Sequence, residues 1–570
     1  MKLQIWMGRA GAGKSRLVLE TLERQRRQCP QVLLVPEHAS HEAELDLCRV
    51  CGPTASRDAE VLSFRNLATR VLSQTGGLAD VTLDNGGKLL TMRRALQEVS
   101  GRLTVFARPS QRPAFLRQLV ALADELYAYR VTPAALMEKV SDMDGAAGEK
   151  LRSAALIYGA YDARLHGEGI DARSRVQKLC DALPGSDYLV GKDVYVDGFS
   201  YFNRVEEDIL ETALRQANSV TVTLLGDESD PQLFQNALRQ RDRLKRMAAA
   251  VHSECEVKTL VGDGDGALAH LERCFFGDET PWQGEQPPIR LYQAETPFSE
   301  VEYVAAQVRR LAREGCRWRD IGVTARNMEV YGPLLEAVFR RDGIPAYISR
   351  RSDILEKPVL TMLLSAVDAV TGGFEYEDVF RCLKTGMAGI SAAECDILEN
   401  YVIRWEIRGS MWLRDTDWTA SPDGYGAELN ETRRQRLAAV NAVRRRVRDL
   451  FVDLSEGLKT GLTIRDKAET LYRFAESAAV PETLKQQTEA LYDDGQVQLA
   501  EEYSQLWRIF CDVLDQFVEL LGDVEVDGQE FARLLRLVLS QYAVATIPAT
   551  LDQVKVTPLT RNDRHTVRHL

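Results

Sequence analysis

Eight residues near the start of the chain, Gly8-Arg9-Ala10-Gly11-Ala12-Gly13-Lys14-Ser15, have the types and spacing that grip phosphate. In the pattern Gly-x-x-x-x-Gly-Lys-Ser the glycines let backbone N–H groups turn inward around a β-phosphate. A helix starting near Gly13 adds its positive dipole end. Lys14 then reaches the β- and γ-phosphates, and the Ser15 hydroxyl ligates Mg²⁺. The ligand this chemistry implies is a nucleoside triphosphate, ATP with its Mg²⁺. Hydrolysis asks for more: an acid at the end of a later strand to hold the metal, and usually a neighbouring glutamate to activate water. Val194-Tyr195-Val196-Asp197 supplies the strand and the acid, which makes Asp197 a candidate metal ligand beside Ser15. The next residue is Gly198 where a glutamate is expected, and Glu206 and Glu207 fall on the following helix. No residue is therefore assigned as catalytic. Asp197 also reads as the start of a plain Asp-Gly turn.

Three weaker features stand beside this motif. Leu225-Gly226-Asp227, followed by Gln232, has the form of a strand end that senses a γ-phosphate, although Asp227 equally suits a turn. Val323-Thr324-Ala325-Arg326 ends a second-half strand with an arginine, placed either to reach a nucleotide held between two cores or to form a surface ion pair. Cys48 and Cys51 have C-x-x-C spacing, but no second pair accompanies them, and His38 and His41 lie across a turn. Two packed thiols on a helix is the reading preferred to a metal site.

The elements that must position these residues follow from apolar periodicity. Leu3–Met7 reads as a strand, Gly13 onward as a helix stopping at Pro30, and Val32–Val35 as a buried parallel strand. Strand, loop, helix and strand is the context a phosphate-binding loop needs. Val61-Leu62-Ser63-Phe64 reads as a further strand. Lys88 to Cys180 is helical, and strands resume at Val194–Asp197 and Val220–Leu225. The Gly- and Pro-rich stretch Gly262–Pro288 reads as a linker. Beyond it come a helix over Glu300–Glu314 and strands at Ile321–Thr324, Ala346–Ile348 and Val554–Thr557, with helices from Pro358 to about Tyr542. The end, Arg568-His569-Leu570, reads as a strand just starting, as though the chain stopped inside a domain. The expected fold class is α/β, with two cores each interrupted by a helical insertion.

The balance of 45% hydrophobic and 27% charged residues is that of an ordinary globular protein of several domains. No apolar run approaches the length of a membrane span, and Met1–Met7 reads as a strand rather than a signal peptide. The expected compartment is the cytoplasm. Ten cysteines are too few and too scattered for a disulfide framework. The formal net charge of −12 argues against non-specific coating of nucleic acid, yet a local groove remains open. Between Val61 and Arg130 ten Lys or Arg face only five acids, which marks either a polyanion partner or a solvated helical face.

In sequence order, the phosphate loop is followed by Leu34-Val35-Pro36-Glu37-His38, Leu62-Ser63-Phe64-Arg65-Asn66-Leu67-Ala68 and Val196-Asp197-Gly198-Phe199. Gly322-Val323-Thr324-Ala325-Arg326 and Asp342-Gly343-Ile344-Pro345-Ala346-Tyr347 complete the series. Together they resemble the B subunit of AddAB-type helicase–nucleases. The resemblance implies a superfamily 1 helicase architecture of two RecA-like cores. Core 1A then spans 1–85 and 186–285 with its linker, insertion 1B spans 86–185, core 2A spans 286–357 and 546–570, and insertion 2B spans 358–545. It implies a heterodimer with a motor A subunit, double-strand-break processing for recombination, and binding of both single- and double-stranded DNA. It further implies a degenerate, ATP-binding helicase channel that scans single-stranded DNA for Chi, to which the Asp197-Gly198 pair conforms. It puts His38, Ser40, His41, Phe64, Arg65, Asn66, Arg70, Phe199 and Phe202 along the single strand. Phe64 and Phe199, at strand ends, fit a core role as well. The resemblance also implies a nuclease domain and an iron–sulfur cluster held by cysteines, both expected only in a C-terminal half beyond these 570 residues. Ile348–Arg351 and Glu356-Lys357-Pro358 depart from the family pattern. Other readings of the residues are an active superfamily 1 helicase motor whose water-activating acid comes from Glu206 or elsewhere, and a P-loop switch or scaffold with no nucleic-acid role.

Overall fold

Short apolar runs build the core of the first sheet in this computed structural model. It describes residues 2–26, 28–78, 83–103, 105–106, 113–167, 175–262, 266–277, 280–348, 352–544, 552–559 and 567–570. Strands β1 (Lys2–Gly8), β2 (Gln31–Leu34), β3 (Ala59–Leu62), β4 (Asp193–Val196), β5 (Ser219–Leu225) and β6 (Glu254–Thr259) all pair parallel, in the order β3-β2-β4-β5-β1-β6. Parallel strands need cover on both faces. Because side chains alternate along a strand, Leu3, Ile5 and Met7 enter one layer and Trp6 the other. Helices α1 (Lys14–Gln25) and α2 (Ser40–Cys51) cover the Trp6 face, and α3 (Phe64–Thr75) covers the opposite one.

Two local expectations need correction. The strand expected over Val61–Phe64 stops at Leu62, because the Ser63 hydroxyl accepts the Asn66 N–H at 3.1 Å and caps α3. Strand β6 was not anticipated: it is an exposed edge strand, Glu254-Cys255-Glu256-Val257-Lys258-Thr259, with no apolar run to announce it.

Between β3 and β4 run helices α4 (Asn85–Val99), α5 (Pro113–Ala128), α6 (Pro133–Ser141), α7 (Gly145–Gly167) and α8 (Arg175–Ala182). Helices α9 (Arg204–Gln216) and α10 (Gln235–Ala250) complete the first unit's cover. The expected linker is not featureless, since Ala267–Cys274 forms a helix, α11. The second unit consists of α12 (Pro297–Arg313), β7 (Gly322–Ala325), α13 (Met328–Arg341) and β8 (Ala346–Ile348), with the short strand β9 (Ser352–Asp353) following. Next come α14 (Pro358–Thr371), α15 (Tyr376–Leu383), α16 (Ala392–Trp405) and α17 (Glu431–Thr460). They continue through α18 (Ile464–Ser477), α19 (Val480–Asp493), α20 (Val497–Leu521) and α21 (Gly528–Leu539) to β10 (Ala543–Val544) and β11 (Val554–Pro558). β11 inserts parallel between β7 and β8, and His569 makes a single bridge to Ile321.

The helices of the two long insertions share one hydrophobic core, in which Leu90 and Tyr161 join Phe510 and Phe531. Polar contacts stitch the same seam: Arg93 meets Glu530 at 2.9 Å, and Arg94 donates to the Leu520 carbonyl at 2.8 Å. Part of the positive charge noted between Val61 and Arg130 is thereby spent internally, while Arg65, Arg70, Arg102 and Arg117 stay exposed. Arg108, Arg112 and Asp80 of that stretch, and Ser349–Arg351, lie outside the described residues. Lys555 of β11 donates to Glu42 of α2, which ties the second sheet to the first unit. Among the described residues no helix is long and apolar enough to cross a membrane.

Candidate functional site at the carboxyl edge of the first sheet

Parallel strands deliver all their carboxyl ends to one edge, and most of the candidate residues collect there. The connection from β1 leads to β2 on one side, and the last connection brings β6 to the other side of β1. A crevice at such a switch point is where open parallel sheets receive ligands.

β1 ends at Gly8 and α1 begins at Lys14, so the loop between them sits in that crevice. Gly11 and Gly13 have φ of +74° and +77°, in the left-handed region that side chains resist. A Cβ at either would meet no atom within 4 Å, so backbone conformation rather than space demands glycine. At Gly8 the reason is space, because a Cβ would come within 2.7 Å of the Leu260 carbonyl oxygen. The Lys14 Nζ donates to the carbonyls of Gly8 and Arg9, each at 2.7 Å. Burial lowers its pKa to about 8, against the opposing field of Glu272. Ser15 is half-buried, while Ala10, Gly11 and Gly13 are exposed. A loop of this shape, at a helix N-terminus, presents N–H groups and a lysine to an anion.

Arg9 is heavily engaged. Its Nε donates to Asp227 Oδ2 at 2.6 Å, its other nitrogens lie 3.6 Å from Glu272 and 3.9 Å from Asp230, and the guanidinium rests 5.2 Å over the Phe234 ring. The hydrogen bonds from Arg9 and the Ser229 N–H hold the Asp227 carboxyl below its usual range. Asp227 thus anchors the loop through Arg9.

Asp197 is 2% exposed and accepts the hydroxyl hydrogen of Thr223, a residue of β5, the strand between β4 and β1. Gly198, at φ +86°, turns the chain immediately afterwards. Neither following glutamate is placed as a base. Glu206 is spent on a capping box, accepting the Asn203 N–H at 2.9 Å while its own N–H bonds Asn203 Oδ1, and burial raises its pKa. Glu207 lies 3.3 Å from both Gln240 and Arg243. Arg326 is exposed just beyond β7, on the second sheet, and no described hydrogen bond or ion pair joins it to the loop.

The residues expected along a single strand follow β2, β3 and β4, which are neighbours in the sheet. His38 and His41 are exposed, Ser40 is half-buried at the start of α2, and Arg65 and Asn66 are exposed on the first turn of α3. Arg65 lies 3.3 Å from Glu37, both side chains exposed. Arg70 is not brought to this edge; it turns back toward Glu60, 3.9 Å away and two residues before the end of β3. Phe64 and Phe202 are corrected to core residues, 5% and 3% exposed, and so have no face to offer a base. Phe199 is half-buried between them, with ring centres 5.3 Å from each.

The aromatic that does face solvent is Tyr201, 72% exposed, which the sequence motifs do not single out. The signal was present in Asn203 and Glu206. Their capping box sets where α9 starts, and Phe202, directly before the cap, is turned inward while Tyr201 points out. Cys51 is buried and its thiol pKa is pushed up to about 11, mainly by burial, whereas Cys48 is exposed, so only one of the two is packed. Among the described residues no group of three His, Cys, Asp or Glu side chains could hold a metal ion.

A parallel α/β unit with a phosphate-type loop at its switch point defines the class, and sequence comparison gives the family. Residues 5–272 match the family model described as ADDB, N-terminal. The whole chain is 34% identical to the B subunit of the ATP-dependent helicase/deoxyribonuclease of Desulforudis audaxviator and 32% identical to that of Acetivibrio thermocellus, covering 52% of each. Against the subunit of the same name from Caldanaerobacter subterraneus subsp. tengcongensis, 99% of the chain aligns at 31% identity with 50% of the relative. The chain belongs to the AddB family, and it spans about half the length of the curated relatives it matches.

Proposed function

We propose that the chain is the nucleotide-binding, DNA-reading part of a B subunit in a two-subunit helicase–nuclease, holding ATP without rapid turnover while it scans single-stranded DNA for Chi. The observation that carries this reading is the division of one sheet edge. The loop at β1 has the shape for a triphosphate, while the neighbouring ends of β2, β3 and β4 expose His38, His41, Arg65, Asn66 and Tyr201. Imidazole, guanidinium, amide and phenol groups are what a single strand needs for phosphate contact and base stacking.

The loop fits Mg·ATP: Gly8–Ser15 cradle the phosphates, Lys14 neutralises them, and Ser15 with Asp197 would hold the metal, Asp197 through water. Bound Mg·ATP supplies a cleavable phosphoanhydride, but its hydrolysis needs a positioned base. Asp197 is followed by Gly198, and the Glu206 carboxylate is committed to its capping box. This disfavours an active motor built on Glu206. The parallel strand order with β1 at the switch point supports a RecA-like first core of the superfamily 1 type. The relatives' naming as one lettered subunit, the B, supports a partner A subunit, which would supply translocation on duplex and single-stranded DNA in break repair.

A salt titration tests the DNA role. Fluorescence anisotropy of a labelled single-stranded oligonucleotide should report binding at low salt that weakens as salt rises, with a log–log slope of about −0.7 for each phosphate contacted. No binding at low salt would leave a P-loop scaffold without a nucleic-acid role.

A further inference from the structure

Arg9 lies inside the loop read as the phosphate cradle, yet three carboxylates already surround its guanidinium. They are not equivalent. Asp227 and Asp230 belong to the loop after β5, and Asp227 makes a close hydrogen bond at 2.6 Å. Glu272 comes from α11, at 3.6 Å, beyond hydrogen-bond length and therefore held by charge alone. It also lies within electrostatic reach of Lys14, whose charged form it favours. Among the described residues helix α11 buries none of its side chains: His270 lies 2.7 Å from the Thr280 carbonyl and 5.4 Å from the Trp282 ring, both within the same connecting segment, and Leu268 and the adjoining Phe275 are 62% and 65% exposed. The approach to α11 crosses the loop, where a Cβ at Gly262 would stand 3.5 Å from the Ala12 Cα.

One anionic side chain therefore lies beside Arg9 and within electrostatic reach of Lys14, the two cations of the loop. Resting on the reading of Gly8–Ser15 as a nucleotide site, we propose that Glu272 competes with the nucleotide's phosphates for Arg9 and Lys14, and that binding displaces it together with α11. Phosphate oxygens carry more charge than one carboxylate and meet the loop's N–H groups as well, so the exchange favours the nucleotide. Glu272 and the phosphates, being of like sign, do not share the two cations without repulsion. Because α11 lies between the first unit and α12, the displacement carries nucleotide occupancy to the segment that joins the two sheets.

The test compares the full chain with its Glu272→Gln variant, which keeps shape and removes charge at a partly exposed position. Calorimetric titration with Mg²⁺ and a non-hydrolysable ATP analogue at low salt should give about 1.5- to 5-fold tighter binding for the variant, the range of an ion pair near the surface. Hydrogen exchange over Ala267–Cys274 should quicken when the analogue binds the unsubstituted chain. Equal or weaker binding by the variant, with the unsubstituted chain still binding, overturns the competition and leaves the nucleotide site standing. No binding by either chain overturns both.

Discussion

Lys14→Ala weakens Mg·ATP binding: affinity falls by about 2–5 kcal/mol, or roughly 30- to 4,000-fold, measured by calorimetric titration of the full chain. The size follows from what Lys14 does. It is the cation at the first position of α1, its Nζ bridges the Gly8 and Arg9 carbonyls, and it lies in a partly dehydrated crevice where charge counts for more than in water. The alanine variant loses both the phosphate contact and the brace across the loop. A pH titration gives the same residue a second signature. Burial holds the free Lys14 at a pKa of about 8, and a bound triphosphate raises it, because the anion favours the charged form. Binding above that pH must therefore take up a proton. Affinity should be full below pH 8 and should decline as pH rises through 8, with the decline absent in Lys14→Ala. An affinity that the substitution leaves unchanged would exclude Gly8–Ser15 as the nucleotide site.

Tyr201→Ala should weaken single-strand binding by about 1–3 kcal/mol, roughly 5- to 150-fold, because each base–aromatic stack contributes on that scale. At 72% exposure, the ring supports little of the fold, so the variant should unfold close to the unsubstituted temperature. Its neighbour behaves oppositely. Phe202 is buried among the rings and aliphatic side chains under α9, and Phe202→Ala should cost about 3–5 kcal/mol of stability. Anisotropy with a labelled oligonucleotide, paired with thermal unfolding, separates the two. Loss of DNA affinity in Phe202→Ala without loss of stability, or full affinity in Tyr201→Ala, would contradict the assignment.

The contrast between Tyr201 and Phe202 shows what the sequence could and could not yield. Residue type marks both as stacking candidates, and only the capping register of α9 tells which ring turns inward. The phosphate loop was legible because its chemistry is local: two left-handed glycines, a lysine and a helix start lie within eight residues. Strands β1, β2, β4 and β5 were legible because burial on both faces forces apolar or β-branched runs. β6 escaped because an edge strand has no such obligation. The shared core of the two helical insertions escaped for another reason. Helical period is local, but the partners are not: Arg93 and Glu530 are 437 residues apart in sequence. The clamp on Arg9 is of the same kind, since Asp227 and Glu272 reach it from separate elements.

Central to the proposed function is a loop holding a nucleotide that the chain itself scarcely cleaves. Steady-state phosphate release from Mg·ATP, by the purified chain with saturating single-stranded DNA, tests this most directly. The expected result is a bound nucleotide and turnover well below the roughly 1–10³ s⁻¹ typical of enzymes, with no acceleration by DNA. Rapid, DNA-stimulated turnover that Lys14→Ala abolishes would contradict it and make the chain a motor.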